Sequence, residues 1–331
     1  MSLNSRYEFM FYIECVNGNP NGDPDMGNSP RIDPQDMHGF ITDVAIKRRI
    51  RNYIQVAYAK EAGMRIIMKN ATNINKAIAE AYERTEGVVS KEVSKVNAAR
   101  NYACENFYDV RTFGAVLSTG LNAGQVRGPV QITFAKSVDA ILPMDISITR
   151  MLVADNAKGA SSVADYEKWE SEQPEDKLRT MGRKQFISYG LYEARGFISA
   201  NLADETGFDE KDLKILFESI LNMYEHDRSA SKGQMTVISP LIIFRHVGTD
   251  SDEIQRVRQA KLGCAAAHKL FDLVHVERKS EVEYARCYKD YMATIDMIHL
   301  PKGVEVGFMS SPYNEISWGR LEDSWLKVNG D

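Results

Sequence analysis

Three features of the sequence predict an α+β fold in the order strand, helix, strand, strand, helix, strand. "YEFMFYIEC" (7–15) alternates, placing Tyr7, Phe9, Phe11, Ile13 and Cys15 on one face and Glu8, Met10, Tyr12 and Glu14 on the other. "DVAIKRRIRNYI" (43–54) and "FDEKDLKILFESILNMYEHD" (208–227) carry apolar residues at helical spacing. Between these helices lie two stretches of strand character, and a further one follows. This is the element order of the ferredoxin-like or RNA-recognition-motif (RRM) fold.

The elements follow in chain order. After the first strand, "VNGNPNGDPDMGNSPRIDPQDMHG" is dense in Asn, Gly, Asp and Pro and reads as a long turn-rich loop. Thr42 can then cap a helix whose first turn carries Asp43, as the helix dipole prefers. Residues 54–108 read as mainly helical, with "INKAIAEAYERT" (74–85) the most periodic piece. "VRGPVQITFAKSV" (126–138) and "MDISITRMLV" (144–153) read as strands, and a hydrophilic stretch of about 155–184 follows. Apolar alternation resumes at 184–202, Asp209 supplies a cap region for the next helix, and "MTVISPLIIFRHV" (235–247) is a strand whose Pro240 implies an edge or a bulge. A helix around 263–274 and a turn-rich tail complete the chain, and no internal repeat is present.

Composition narrows the class. The 331 residues are 44% hydrophobic and 26% charged, ordinary values for a globular protein. No apolar run approaches the roughly 20 residues that span a bilayer, and the N-terminus lacks the pattern of a signal peptide. Cytoplasm is the expected location, with no membrane partner. Cys15, Cys104, Cys264 and Cys287 are far apart, and the six histidines form no metal-binding spacing, so neither a metal nor another cofactor is expected.

The net charge of −5 hides segregation. Between His38 and Lys69 stand seven basic residues against two acidic ones, whereas 165–176 is strongly acidic. On a wheel of about 100° per residue, Ile46, Ile50, Tyr53 and Ile54 share one arc. Lys47, Arg51 and Arg48 fall about 100°, 140° and 200° from Ile46, on the expected solvent side, with Arg49 apart from them. The helix is thus expected to present three cations together.

Two loops suit a phosphate chain. "NGNPNGDPD" (17–25) precedes the cationic helix, and its Gly and Asn residues permit converging N–H groups, with Asn17, Asn19 and Asn21 adding side-chain donors. "DVRTFGAVLSTGLNAGQVRGPVQ" (109–131) threads Arg111, Thr112, Ser118, Gln125 and Arg127 among four glycines. Neither is a Walker loop or a dinucleotide fingerprint. The aromatic signature with which RRM domains stack bases is also missing, which favours contacts to sugar and phosphate over reading of bases.

The blocks "NGNPNGDPD…PRID…TDVAIKRRIRNYI", "FYDVRTFGAVLSTG…GQVRGPVQ", "TMGRKQFISYGLY", "GFISA" and "LNMYEHDRSASKGQM" together resemble the backbone subunit of the type I-C CRISPR-associated Cascade complex. They run from about residue 7 to 240, and "AHKLFD" adds little beyond. The resemblance implies an RRM-like palm (6–53, 110–150 and 185–247), a helical finger insertion (54–109), a thumb hairpin (150–184) and a C-terminal extension on the palm (248–331). It implies a non-catalytic, antiviral subunit whose copies line up along a CRISPR guide RNA, beside other Cascade subunits, and hold the guide for pairing with target DNA. By this resemblance Lys47, Arg48 and Arg51 match the guide-binding helix. Asn19, Asn21, Arg111, Gln125 and Arg127 lie in matching loops, and Met151, Met181, Arg183 and Lys184 sit at the thumb base.

Two alternatives stay open. In other CRISPR types, relatives cleave target RNA with an aspartate in the loop after the first strand. Asp23, Asp25, Asp33 and Asp36, with His38 nearby, are candidates for holding a divalent metal for such an endonuclease. Asn28, however, stands before "SPRID", where comparison would put the catalytic aspartate. The other alternative is a metabolic or protein-binding domain whose basic run is an incidental solvated face. The Glu225-His226-Asp227 set reads as caps and ion pairs at a helix end, and Trp169, Trp318 and Trp325 as packing or interface residues.

Overall fold

A computed structural model describes residues 2–85, 92–155, 157–311, 315–321 and 324–328. The first strand, β1 (Tyr7–Gly18), lies in the middle of the main sheet. On one side it pairs antiparallel with Thr180–Ile198 and on the other with Gln234–His246. Among the described residues the sheet has nine strands. Its path runs from Ile316–Trp318 through Val304–Met309, Gln234–His246, β1, Thr180–Ile198 and Ala135–Ala140 to His38–Ile41. Val130–Ile132 and Pro143–Arg150 also pair with the long Thr180–Ile198 strand. The architecture is mixed α+β around one large antiparallel sheet.

Both faces of β1 are buried. Phe9, Phe11, Ile13 and Cys15 point toward helix α1 (Asp43–Ala57) and the helix Glu210–Asn222. Met10 and Tyr12, on the other face, enter a second apolar cluster with Leu270, Phe271, Tyr291 and Ile295 from the C-terminal part of the chain. The alternation seen in the sequence therefore separates two cores rather than a core from water. Glu8, 0% exposed on that second face, accepts hydrogen bonds from Arg6 Nε (2.6 Å) and His246 Nε2 (2.7 Å). The Cys264 N–H donates to His246 Nδ1 (2.8 Å), which leaves the proton on Nε2 to serve Glu8.

Local chemistry sets the helix starts. Thr42 Oγ1 accepts from the Ala45 N–H (3.3 Å), and Ile46, Ile50 and Ile54 are fully buried beneath α1. Asp209 and Asp212 form a reciprocal capping box at the start of Glu210–Asn222, and Phe217 from that helix meets Phe9 edge-on at 5.5 Å. Helices α2 (Ile74–Thr85) and α3 (Glu92–Asn106) form a separate small core with Phe107, Val110 and Leu117.

Several expectations are corrected. Residues 109–113 are not loop: α4 (Tyr108–Phe113) is a short buried helix. The stretch 126–138 is broken into Gln125–Arg127, Val130–Ile132 and Ala135–Ala140: Gly128 and Pro129 interrupt the first junction, and Thr133 and Phe134 lie between the other two strands. Pro240 lies in an interior strand, where the pairing with β1 shifts register between Met10 and Tyr12, so it marks a bulge and not an edge. An unforeseen helix, Glu253–Leu262, precedes residue 263, and the expected turn-rich tail contains a three-stranded sheet of Val274–Arg278, Tyr291–Ile295 and Leu326–Val328, besides two strands added to the main sheet.

Beyond Ile187, which faces both Gly18 and Pro143, the long strand leaves the sheet and pairs with Pro143–Arg150 alone, as a two-stranded hairpin. The hairpin carries the helix Val163–Ser171, none of whose residues is buried. Among the described residues no helix is long and apolar enough to cross a membrane.

Candidate nucleic-acid interface

Helix α1 holds its cations more tightly than a helical wheel implies. The side chains of Lys47 and Arg51 are only 13% and 12% exposed, because α4 packs along that flank. Lys47 Nζ lies 5.5 Å, and Arg51 Cζ 5.3 Å, from the centre of the Phe113 ring. Arg51 Nε donates to Asp109 Oδ2 (2.8 Å), and Lys47 Nζ to Asp43 Oδ2 (3.0 Å). Asp109, itself 1% exposed, also accepts from the Ile67 and Met68 N–H groups at 2.9 and 3.2 Å. Arg48 donates to the Met68 carbonyl (3.2 Å). The expected solvent-facing stripe is thus a half-buried, prearranged cluster in which Arg48 has no carboxylate partner among the described residues.

Arg49 lies on the other flank, as its wheel position requires, and pairs with Asp227 at 2.5 Å. Burial would raise the Asp227 carboxyl, but the hydrogen bond from Lys232 and the charge of Arg49 together hold it below the ordinary carboxylate value.

Arg111 is placed quite differently from the loop donor the sequence suggested. It is 8% exposed, and its Nε and Nη2 grip Asp212 at 2.7 and 2.8 Å. Its Nη1 donates to the carbonyls of Gly63 (2.6 Å) and Cys104 (3.2 Å). Arg111 therefore spends its donors inside the fold. Gln125 and Arg127 stand on the strand Gln125–Arg127, which pairs with Gly114–Val116, and both side chains are exposed on one face. Gly128 lets this ribbon touch α4: a Cβ there would lie 2.2 Å from the Phe113 carbonyl carbon. The resulting shallow groove is lined by Phe113, Gln125, Arg127 and Gln131 together with small residues, and no carboxylate lines it.

The asparagines of the first loop are spent locally. Asn19 Nδ2 donates to the Asn28 carbonyl (2.6 Å), while Asn21 Oδ1 accepts from the N–H and hydroxyl of Thr42, each at 2.9 Å, and so buttresses the start of α1. Asn17 and Asn28 do adopt positive φ, 49° and 65°. Asn19 Oδ1 is buried and accepts from nothing among the described residues.

On the hairpin, Met151, Met181 and Arg183 are exposed, the last by 80% of its side chain. The register pairs Met181 with Thr149 and Arg183 with Ser147, on one face, whereas Lys184 pairs with Ile146 on the other. The structure thus brings Met181 and Arg183 together and sets Lys184 apart.

The loop aspartates do not converge. Asp23 pairs with Arg31 (2.9 Å), Asp36 with Lys136 (2.7 Å), and Asp33 Oδ1 accepts from the Gln35 N–H (3.0 Å). Among the described residues no three His, Cys, Asp or Glu side chains are grouped to hold a metal ion. Sequence reading missed Asp109 and Phe113 as organisers of the cationic cluster. Their four-residue separation puts both on the α1 side of α4, a signal available only once 108–113 is recognised as helix.

The family model described as CRISPR-associated protein Cas7 matches residues 5–296. A curated relative, CRISPR-associated protein Cas7 of Haloferax volcanii, is 24% identical over 234 residues, which takes in 65% of this chain and 63% of the relative. The match thus spans less than two thirds of that relative's length. Two solved structures are similar at 12% identity. The first, titled "CRISPR RNA-guided surveillance complex, pre-nicking", has a TM-score of 0.44 and covers 81% of this chain and 86% of its own. The second, titled "CRISPR RNA-guided surveillance complex", has a TM-score of 0.42 and covers 81% and 80%. With a family match over most of its length, this chain belongs to the CRISPR-associated protein Cas7 family.

Proposed function

We propose that this chain is a guide-RNA-binding backbone subunit of a CRISPR Cascade surveillance complex, acting in the cytoplasm as one of several copies placed side by side along the guide. Other Cascade subunits and, through the guide, target DNA are its partners. The palm is a ferredoxin-like or RRM-like unit made of 6–53, 110–150 and 185–247. The fingers are 54–109, the thumb 150–184, and 248–331 is an extension. The palm assignment is supported by the sheet order, in which the fourth, first, third and second strands of that unit are neighbours.

One observation carries the reading of RNA binding. Lys47 and Arg51 of α1 lie against the Phe113 ring, which also lines the groove of Gln125, Arg127 and Gln131, and no carboxylate lines that groove. Such a surface attracts a phosphate chain and leaves its bases to pair elsewhere. An acidic chain can bind RNA this way because phosphate neutralisation is local. The sheet face on which RRM domains stack bases is closed here by the C-terminal extension, which agrees with a grip on the backbone alone.

Binding of a single-stranded RNA oligomer across a salt series tests the proposal. Arg48→Ala with Arg127→Ala should lower affinity and reduce the slope of log affinity against log salt by about 0.7 for each phosphate that is no longer neutralised. Absence of RNA binding by the unaltered chain at low salt sinks it. The subunit is read as non-catalytic: the assembled complex, given a pairing RNA and Mg²⁺, should leave that RNA intact. Regularly spaced cuts would restore the aspartate alternative built on Asp23, Asp25 and Asp33.

A further inference from the structure

On the face of the main sheet turned away from α1 lies a cavity of about 870 Å³ to which the reading above gives no task. It exists because a ladder stops. The strand Val304–Met309 pairs with Gln234–His246 only as far as Leu241, and Pro240 has no N–H with which to continue. Before that point Thr236 and Ile238 have β1 on one side and, among the described residues, no strand on the other. Leu321 and Trp325, from the tail, wall the space that is left.

The cavity floor holds a carboxylate without a counter-ion. Glu14, which faces Thr236 in the register, is half-buried and lines the cavity. Its Oε1 accepts from the Tyr288 N–H (2.6 Å) and the Tyr189 hydroxyl (3.1 Å), while its Oε2 accepts from nothing among the described residues. Burial raises the Glu14 carboxyl above its ordinary value, and outweighs the two hydrogen bonds that lower it. The charge that acts on it, that of Asp290, is negative and raises it further. Nearby, Trp325 stands edge-on to Tyr12 (5.3 Å) and Tyr288 (6.0 Å), and its buried Nε1–H donates to nothing among the described residues. Glu315 and Arg320, both exposed on the lining, cancel in charge. The cavity is left with one uncompensated negative charge, an unused donor, and apolar walls that include Ile238, Phe308 and Leu321.

We propose that this cavity binds a primary ammonium on an aliphatic chain that also carries a hydrogen-bond acceptor, the chemistry of a lysine residue. The ammonium sits on Glu14 Oε2 beside Tyr288 and Trp325, where aromatic rings add to the attraction. The chain lies on the apolar wall, and a carbonyl at its far end accepts from Trp325 Nε1. A guanidinium fits less well, because its fork needs both carboxylate oxygens and Oε1 already serves two donors. A quaternary ammonium has no N–H for Oε2. The volume is that of a small-molecule site, or of one side chain with its flanking backbone. The site owes nothing to RNA binding, since α1 packs on the opposite face of β1.

Calorimetric titration of the full chain at neutral pH tests this with two probes, Nα-acetyl-lysine amide and the same lysine at the centre of a capped glycine peptide. Binding of the single residue as tight as that of the peptide assigns a small-molecule ligand; tighter binding of the peptide assigns a lysine of a protein partner. Acetylation of the probe's Nζ, which removes the charge, should abolish binding to the unaltered chain. Glu14→Gln keeps an oxygen for the Tyr288 and Tyr189 donors, so its thermal midpoint should not fall, and it should bind about tenfold or more weakly. Trp325→Phe keeps an aromatic wall but loses the N–H, and should weaken binding several-fold. RNA affinity should be the same in both variants. No saturable binding of either probe at millimolar concentration, or equal binding of the acetylated probe or by Glu14→Gln, overturns the inference and leaves the RNA-binding proposal standing.

Discussion

The cations of α1 and those of the hairpin are the same residue types in opposite surroundings. Lys47 and Arg51 have side chains 13% and 12% exposed, each with a carboxylate partner and each near the Phe113 ring. Arg183 is 80% exposed, and the carboxylate beside it, Asp145, is 3.9 Å away on a two-stranded ladder with no core beneath it. An embedded cation is already oriented before a ligand arrives and loses little rotamer freedom on binding, but it also holds the fold. An exposed one contributes almost nothing to folding and must be ordered by its ligand. Substitutions in the first region report stability and binding together, whereas those in the second report binding alone.

The largest expected effect lies deepest in the embedded region. Arg111→Ala leaves Asp212, 4% exposed, without its bidentate partner and should cost about 3–5 kcal/mol of stability in urea unfolding. A loss below about 1 kcal/mol would mean that this ion pair is not structural. Arg51→Ala comes next. Asp109 keeps the Ile67 and Met68 N–H groups, so the expected loss is smaller, about 2 kcal/mol, and RNA affinity falls with it. Asp109→Asn separates the two contributions: it should lower stability while leaving RNA affinity at or above that of the unaltered chain, because Arg51 is then free of a competing charge.

How far the sequence foretold these regions follows from what decides each one. Helix α2 spans Ile74–Thr85 as its periodicity indicates, and Thr42 and Asp209 cap the helices they precede, since these features depend on neighbouring residues. The exposure of Lys47 and Arg51 does not. A helical wheel places them opposite the apolar stripe, yet α4, more than 50 residues later, covers that flank. The same holds for Met10 and Tyr12, buried by Leu270, Phe271 and Tyr291 far down the chain. The strands after residue 273 were illegible because each is three to six residues long, too short to display a period.

A smaller effect is expected in the helical region 54–109. Glu80 accepts from Arg65 at 2.6 and 2.7 Å and from the Tyr102 hydroxyl at 2.8 Å. The Arg65 hydrogen bonds, with that from Tyr102, hold its carboxyl at about 2, down from 4.5. A carboxylate with a depressed pKa contributes stability that is complete above its unfolded value and is lost as pH falls through the folded one. The thermal midpoint should therefore drop between about pH 4.5 and pH 2, and Glu80→Gln should flatten that part of the profile. An identical profile in the variant would show that other carboxylates govern the acid limb.

The hairpin should show the smallest change in stability and the cleanest change in binding. Met181→Ala and Arg183→Ala remove exposed side chains with no core to disturb, so unfolding should shift by less than about 0.5 kcal/mol. The register makes a finer forecast. Met181 and Arg183 share a face with Thr149 and Ser147, while Lys184 shares the other with Ile146. If RNA lies against the first face, Arg183→Ala weakens binding several-fold and reduces the salt slope by about 0.7, whereas Lys184→Ala changes neither. Equal losses from the two variants would mean that the chain is not held by one face of the ladder, and a fall in thermal stability from Arg183→Ala as large as that from Arg51→Ala would erase the distinction between embedded and exposed cations.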